Sequence, residues 1–224
     1  MPTLDRDGDV FVLNLGDDEN RFHPDWIAQT GSLLDEVAAA PTPRALVTTA
    51  TGKFWSNGLD LDWLGQNPTF LDDYVGAVHA LFAKVLTFPA PTVAAIQGHC
   101  FAAGAMLALA HDWRVMRADR GFFCLPEADI RIPFTPGMTA LIQAKLPVAA
   151  QTEAMLGAAR FGGEAAAAAD IVDRAVAEHA VVPTAVEIAA AQAPKDGGTL
   201  EAIKRGMYTG ALAALADGGA LRPA

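Results

Sequence analysis

Apolar residues recur along this chain with two different periods, and the alternation between them outlines its elements. Val10 to Leu15 (VFVLNL), Ala45 to Thr49 (ALVTT), Thr92 to Ile96 (TVAAI) and Trp113 to Met116 are short, nearly continuous apolar runs. This is the pattern of strands covered on both faces, as in a parallel sheet. Between them, Pro24 to Ala39 carries Trp26, Ile27, Leu33, Leu34 and Val37 at helical spacing, and Pro41 and Pro43 end it. Leu71 to Leu86 reads as a second amphipathic helix. Gly98 to Ala105 is rich in small residues, and Met106 to Ala110 continues helically. Phe122 and Phe123 are candidates for one more short strand. From Thr135 the spacing is helical throughout, over Met138 to Leu146, Ala149 to Leu156, Ala165 to Ala169, Thr184 to Ala193 and Leu200 to Leu215. The alternation up to about residue 130 predicts βαβ units with right-handed crossovers. The all-helical remainder reads as a cap or an oligomerisation layer. There is no internal repeat.

Composition narrows the functional classes. The 224 residues suit one domain, or one domain plus a small appendage, and 52% hydrophobic against 19% charged residues allows a sizeable core. The formal net charge of −10 argues against a nucleic-acid partner, which needs a basic footprint. An anionic ligand held by a local basic patch or by backbone N–H groups remains compatible. Two cysteines, Cys100 and Cys124, make no disulfide framework and point to a reducing compartment. The segment MPTLDRDGDVFVLNLG lacks the regions of a signal peptide. The most apolar stretch, Phe101 to Ala110, is too short to span a bilayer. The closing LRPA is no peroxisomal address. A soluble cytoplasmic protein without membrane contact is therefore expected.

Three segments could carry chemistry. The first is Ser56-Asn57-Gly58-Leu59-Asp60, which follows the buried run at Ala45, and ligands in α/β sheets bind beyond the carboxyl ends of strands. Gly58 would permit a tight turn with free N–H groups, although taken alone the segment reads first as an ordinary strand-to-helix turn. The second runs from Gly98 to Met106 and opens a helix. Ala102, Ala103 and Gly104 would let a ligand approach the N–H groups of the helix start, or else serve close helix–sheet packing. The third is Leu125-Pro126-Glu127-Ala128-Asp129-Ile130, followed by Ile132-Pro133-Phe134. Glu127 has Phe122, Phe123, Leu125 and Phe134 for company, and a carboxyl in such surroundings can exchange protons near neutral pH. A solvated loop glutamate is the plainer alternative. His99, Cys100, His111 and Cys124 lack zinc-ligand spacing, so packing roles and no metal are expected. No nucleophile elbow, P-loop or dinucleotide fingerprint is present. His111-Asp112 is expected to fix the end of a helix.

Taken together and in order, these segments resemble the crotonase superfamily, the enoyl-CoA hydratase/isomerase superfamily. The likeness runs from about Asp9 to about Ala177 and is closest in KFWSNGLDLDWL from Lys53 and in PAPTVAAIQGHCFAAGAMLALAHDWRVMRADRGFFCLPEADI from Pro89. The resemblance implies an α/β fold: a spiral core of ββα units over residues 1–175, then a C-terminal helical oligomerisation region over 176–224. It also implies a homotrimer or hexamer. An oxyanion hole is implied at the backbone N–H groups of Leu59 and Ala103, with Ser56, Asn57, Gly58, Asp60, Gly104 and Met106 as substrate or CoA contacts. Glu127 falls on one of the two acidic positions that hydratases of this superfamily use. The other falls on Met106, which cannot do acid–base work.

A single carboxylate is the pattern of Δ3,Δ2-enoyl-CoA isomerases, and the second segment is similar to their peroxisomal and plant-type branch. The expected substrate is an acyl-CoA, with no cofactor beyond the coenzyme A of that substrate, and the expected setting is fatty acid β-oxidation. Hydration, another acyl-CoA reaction, or an inactive CoA-binding subunit are the alternatives.

Overall fold

The computed structural model describes residues 1–217, so the closing LRPA lies outside it. Strands β1 (Thr3–Asp7) and β2 (Val10–Asn14) form an antiparallel hairpin and lead into α1 (Pro24–Ala39). A strand–strand–helix unit then occurs three times. The first is β3 (Ala45–Thr49), β4 (Phe54–Ser56), α2 (Leu61–Gln66) and α3 (Leu71–Leu86). The second is β5 (Thr92–Ile96), β6 (His99–Phe101) and α4 (Ala103–Ala110). The third is β7 (Trp113–Arg117), β8 (Phe123–Cys124), α5 (Glu127–Ile130) and α6 (Pro136–Lys145). The chain continues through α7 (Val148–Gln151), a π-helical turn at Thr152–Leu156, α8 (Gly163–Ala168), β9 (Arg174–Val176), α9 (Val181–Gln192), α10 (Gly197–Met207) and α11 (Thr209–Ala216).

The long strands make a six-stranded sheet in the order β1-β2-β3-β5-β7-β9, parallel except for the first pair. The short strands make a separate parallel sheet, β4-β6-β8. The units are thus ββα; the short strand expected at Phe122 and Phe123 is β8, one residue later, but the simple βαβ reading of the periodicity misses β4 and β6. Those two strands are three residues long, too short for any period to show. The expectation of helix throughout from Thr135 is also corrected, because β9 pairs with β7 at the sheet edge. Its three partly exposed residues leave no apolar run to read. Position 175, where the sequence divides core from helical region, falls inside this strand.

Both faces of the large sheet are covered. Val47, Val93, Ala95 and Val115 meet Val181, Ala185 and Ala189 of α9, while Leu46, Ala94, Ile96 and Met116 face the main core with α1, α3, α4 and α6. This double burial is why the strands read as continuous apolar runs. His111 ends α4 as expected: its ring bonds the Leu107 carbonyl at 2.9 Å and Thr48 Oγ1 at 2.8 Å. Asp112 accepts from the Thr92 N–H at 2.8 Å and from Lys204 of α10 at 2.7 Å. The helix read over Leu200 to Leu215 is divided at Tyr208, and α11 lies on α6 and α3.

Candidate active site

Two backbone segments approach each other where β4 ends and α4 begins. Gly58 has φ +81, and a Cβ there would stand 2.8 Å from the Ala103 nitrogen. A Cβ on Gly104 would stand 2.7 Å from both Cβ and the carbonyl oxygen of Ser56. Only glycine permits both contacts, and together they seat the 56–59 loop on the first turn of α4. Ser56 is fully buried, donating its hydroxyl to the Asn20 carbonyl at 2.8 Å and accepting the Gly58 N–H at 3.1 Å. Ala102 takes the N-cap of α4 with φ 51 and ψ −127, a conformation costly for a residue with a Cβ. That kink turns the helix start toward the loop.

The two peptides that matter are oriented from behind. The Gly58 carbonyl accepts from Phe22 N–H at 2.8 Å, so the Leu59 N–H on the same planar peptide points the other way. The Ala102 carbonyl accepts from Met106 N–H at 3.1 Å in the first turn of α4, which likewise turns the Ala103 N–H outward. Among the described residues neither N–H has a hydrogen-bond partner.

Both residues line a cavity of about 190 Å³ that also contains Glu127. The remaining wall is mostly apolar, with Met106, Met138, Ile130, Ile132, Phe101 and Leu61; Arg21 and Asn57 are its other polar members. Glu127 opens α5, is 6% exposed, and its Oε2 has no partner among the described residues. Burial pushes its pKa up to about 7, opposed by a bond from its own backbone N–H. Arg21 is held by Glu19 and, at 2.7 Å, by Asp62, so its charge is already met.

Of the residues singled out in the sequence, Glu127, Leu59, Ala103, Met106 and Asn57 line this cavity. Ser56, Gly58, Asp60 and Gly104 do not. Ser56 and the two glycines shape the loop, and the Asp60 carboxylate caps α2 by accepting the Trp63 N–H at 3.0 Å. The apolar company of Glu127 also differs from the sequence reading. Phe123 and Leu125 are buried in the core, while Phe122 is 38% exposed and leans on His99. The wall comes instead from α4 and α6 and from the 130–133 segment. Met138 and Arg21 carried no local signal, because they reach the site only through the packing of α6 and the N-terminal loop. His99 lies among Phe54, Phe101 and Phe122, and Cys100 and Cys124 are buried.

Comparison with known proteins places these features in context. The sequence matches the family described as enoyl-CoA hydratase/isomerase over residues 6–221. Enoyl-CoA delta isomerase 2, peroxisomal, of Arabidopsis thaliana is 39% identical over 221 residues, covering 93% of this chain and 92% of that protein. Among solved structures, an apo Mycobacterium tuberculosis enoyl-CoA isomerase superposes with TM-score 0.89 at 27% identity, covering 97% of this chain and 95% of that one. A Mycobacterium marinum enoyl-CoA hydratase gives TM-score 0.88 at 26% identity with the same coverage.

Proposed function

Because the chain belongs to the enoyl-CoA hydratase/isomerase family, we propose that it is a Δ3,Δ2-enoyl-CoA isomerase acting through one carboxylate, Glu127. In this reading the thioester oxygen of a 3-enoyl-CoA accepts from the Leu59 and Ala103 N–H groups. Glu127 removes a proton from C2, and the C2–H electron pair moves into the C1–C2 bond as the carbonyl pair moves onto oxygen, leaving a dienolate whose charge gathers on the thioester oxygen. The oxygen pair then re-forms the carbonyl, the double bond moves to C2–C3, and the C3–C4 pair takes the proton from Glu127 at C4. The product is the 2-enoyl-CoA, and the carboxylate is regenerated. The two donors are pre-oriented, and removing one such donor costs roughly 3–4 kcal/mol of transition-state stabilisation.

The observation that carries this reading is a carboxylate oxygen in a largely apolar cavity shared with two N–H groups, all three without a hydrogen-bond partner among the described residues. A pKa near 7 matches a group that must take and return a proton. Met106, 1% exposed, stands in the wall where the resemblance puts a hydratase's other carboxylate. A thioether cannot take a proton and accepts only weakly, so nothing there would orient water for addition. The name of the Arabidopsis relative points the same way.

The reading includes a role in fatty acid β-oxidation, a trimeric or hexameric assembly, a cytoplasmic location and no cofactor beyond the coenzyme A of the substrate. Incubation with 3-hexenoyl-CoA, followed by the absorbance of the conjugated thioester, should show rapid isomerisation and much slower hydration of crotonyl-CoA. Comparable rates on the two substrates would favour a hydratase, and CoA binding without turnover on either would favour an inactive subunit.

A further inference from the structure

We infer that Tyr74 is a positioning residue for the oxyanion donor at Leu59, holding the peptide that follows Leu59 as Phe22 holds the one that precedes it. The inference rests on the isomerase reading. Leu59 lies between β4 and α2, outside the sheets, and pairs only with Phe22 in an isolated parallel bridge. The Gly58 carbonyl is held by Phe22 N–H at 2.8 Å, and the Leu59 carbonyl accepts the Leu61 N–H at 3.1 Å. The Asp60 N–H donates to the Tyr74 phenol oxygen at 2.9 Å. Among the described residues, Tyr74 is the one side chain that hydrogen-bonds the backbone of residues 59 and 60.

Tyr74 is well placed to hold that peptide still. It sits in the first turn of α3, is 3% exposed, and leans on the Trp63 ring at 5.4 Å. The α3 helix packs against α4, which begins at Ala103. One rigid helix therefore supports both donors, the first through Tyr74 and the second through α4. Burial holds the phenol well above its ordinary range, so it stays neutral across the working pH. Rate depends steeply on such placement, because displacement by about 1 Å can cost about a hundredfold.

Tyr74→Phe removes the acceptor and keeps the ring. Three measurements test it: steady-state isomerisation of 3-hexenoyl-CoA, calorimetric binding of saturated hexanoyl-CoA, and the enolate absorbance of bound acetoacetyl-CoA, which requires a working oxyanion hole. The expected result is a roughly tenfold fall in kcat with KM and hexanoyl-CoA affinity within about twofold, together with a smaller enolate fraction. A kcat and enolate fraction like the parent's would overturn the inference. So would an equal loss of hexanoyl-CoA affinity, which marks general loosening of the cavity. If the parent neither isomerises 3-hexenoyl-CoA nor ionises acetoacetyl-CoA, the functional reading fails and the inference falls with it.

Should the variant not fold, fluorotyrosine labelling of the parent supplies the test, since the chain has only two tyrosines, Tyr74 and Tyr208. The Tyr74 fluorine resonance, assigned with Tyr208→Phe, should shift with acetoacetyl-CoA and not with hexanoyl-CoA. The same response to both ligands would overturn the inference.

Discussion

At the scale of single residues, the proposed mechanism concentrates its chemistry on Glu127, whose burial carries a cost in stability. Its carboxyl titrates near pH 7 in the folded protein because burial penalises the charged form. As a base it must be ionised, so kcat/KM should rise as pH increases through about 7 and then level off. Glu127→Gln should remove nearly all isomerisation while CoA binding survives, and activity within about threefold of the parent would refute the assignment. The linkage has a definite sign. The folded-state pKa lies above the ordinary value of 4.5, so between those two values the folded protein holds a proton that the unfolded chain releases. Stability should therefore fall as pH rises through this window. At pH 8, Glu127→Gln should be more stable than the parent, by roughly 3 kcal/mol at most, and denaturant titration at pH 5 and pH 8 reads the difference. Equal stability of parent and variant at both values would show a solvated carboxyl instead.

At the scale of elements, the site depends on one close approach between the loop after β4 and the first turn of α4. Gly104→Ala tests it, because the new Cβ would lie 2.7 Å from Ser56 Cβ. Overpacking of this kind costs about 1–3 kcal/mol, and relief requires α4 to move away from the loop, which separates the Ala103 N–H from that of Leu59. Thermal melting should show the loss, and kcat should fall more than KM rises. Unchanged kcat alongside a lowered melting point would mean that the donors tolerate the shift. The long elements were legible in the sequence. The helices at Pro24–Ala39 and Leu71–Leu86 and the strands at Ala45–Thr49 and Thr92–Ile96 occupy the ranges their periodicity predicts. Of the short strands, β8 was expected one residue early at Phe122 and Phe123, and β4, β6 and β9 were not legible, since a period cannot be established over three residues. They form because neighbouring backbone offers partners, and they are what brings residue 59 beside residue 103.

At the scale of the whole molecule, the C-terminal helices are tied to the core through buried polar contacts. Lys204 of α10 donates to the Phe88 and Ala90 carbonyls at 3.0 and 2.9 Å and to Asp112 at 2.7 Å. Lys204→Met keeps much of the stem but leaves the carbonyls and a largely buried carboxylate without their cation. Breaking such a pair costs roughly 3–5 kcal/mol, so the denaturation midpoint should drop clearly, and a change below about 1 kcal/mol would show the clamp to be dispensable. The sequence by itself determined the periodic elements, the acidic net charge and the three segments whose likeness identified the superfamily. These are local properties, written in spacing and residue type, and they survive without knowledge of what packs against what. Only the tertiary structure decided which of those residues face the cavity. It separated Leu59, Ala103, Met106 and Glu127 in the wall from Ser56, Gly58 and Gly104 in the scaffold behind it. It also brought in Arg21 and Met138 from distant parts of the chain. A cavity is the space left between elements, so its lining is set by their packing and by the direction each backbone N–H is turned, neither of which a one-dimensional pattern contains.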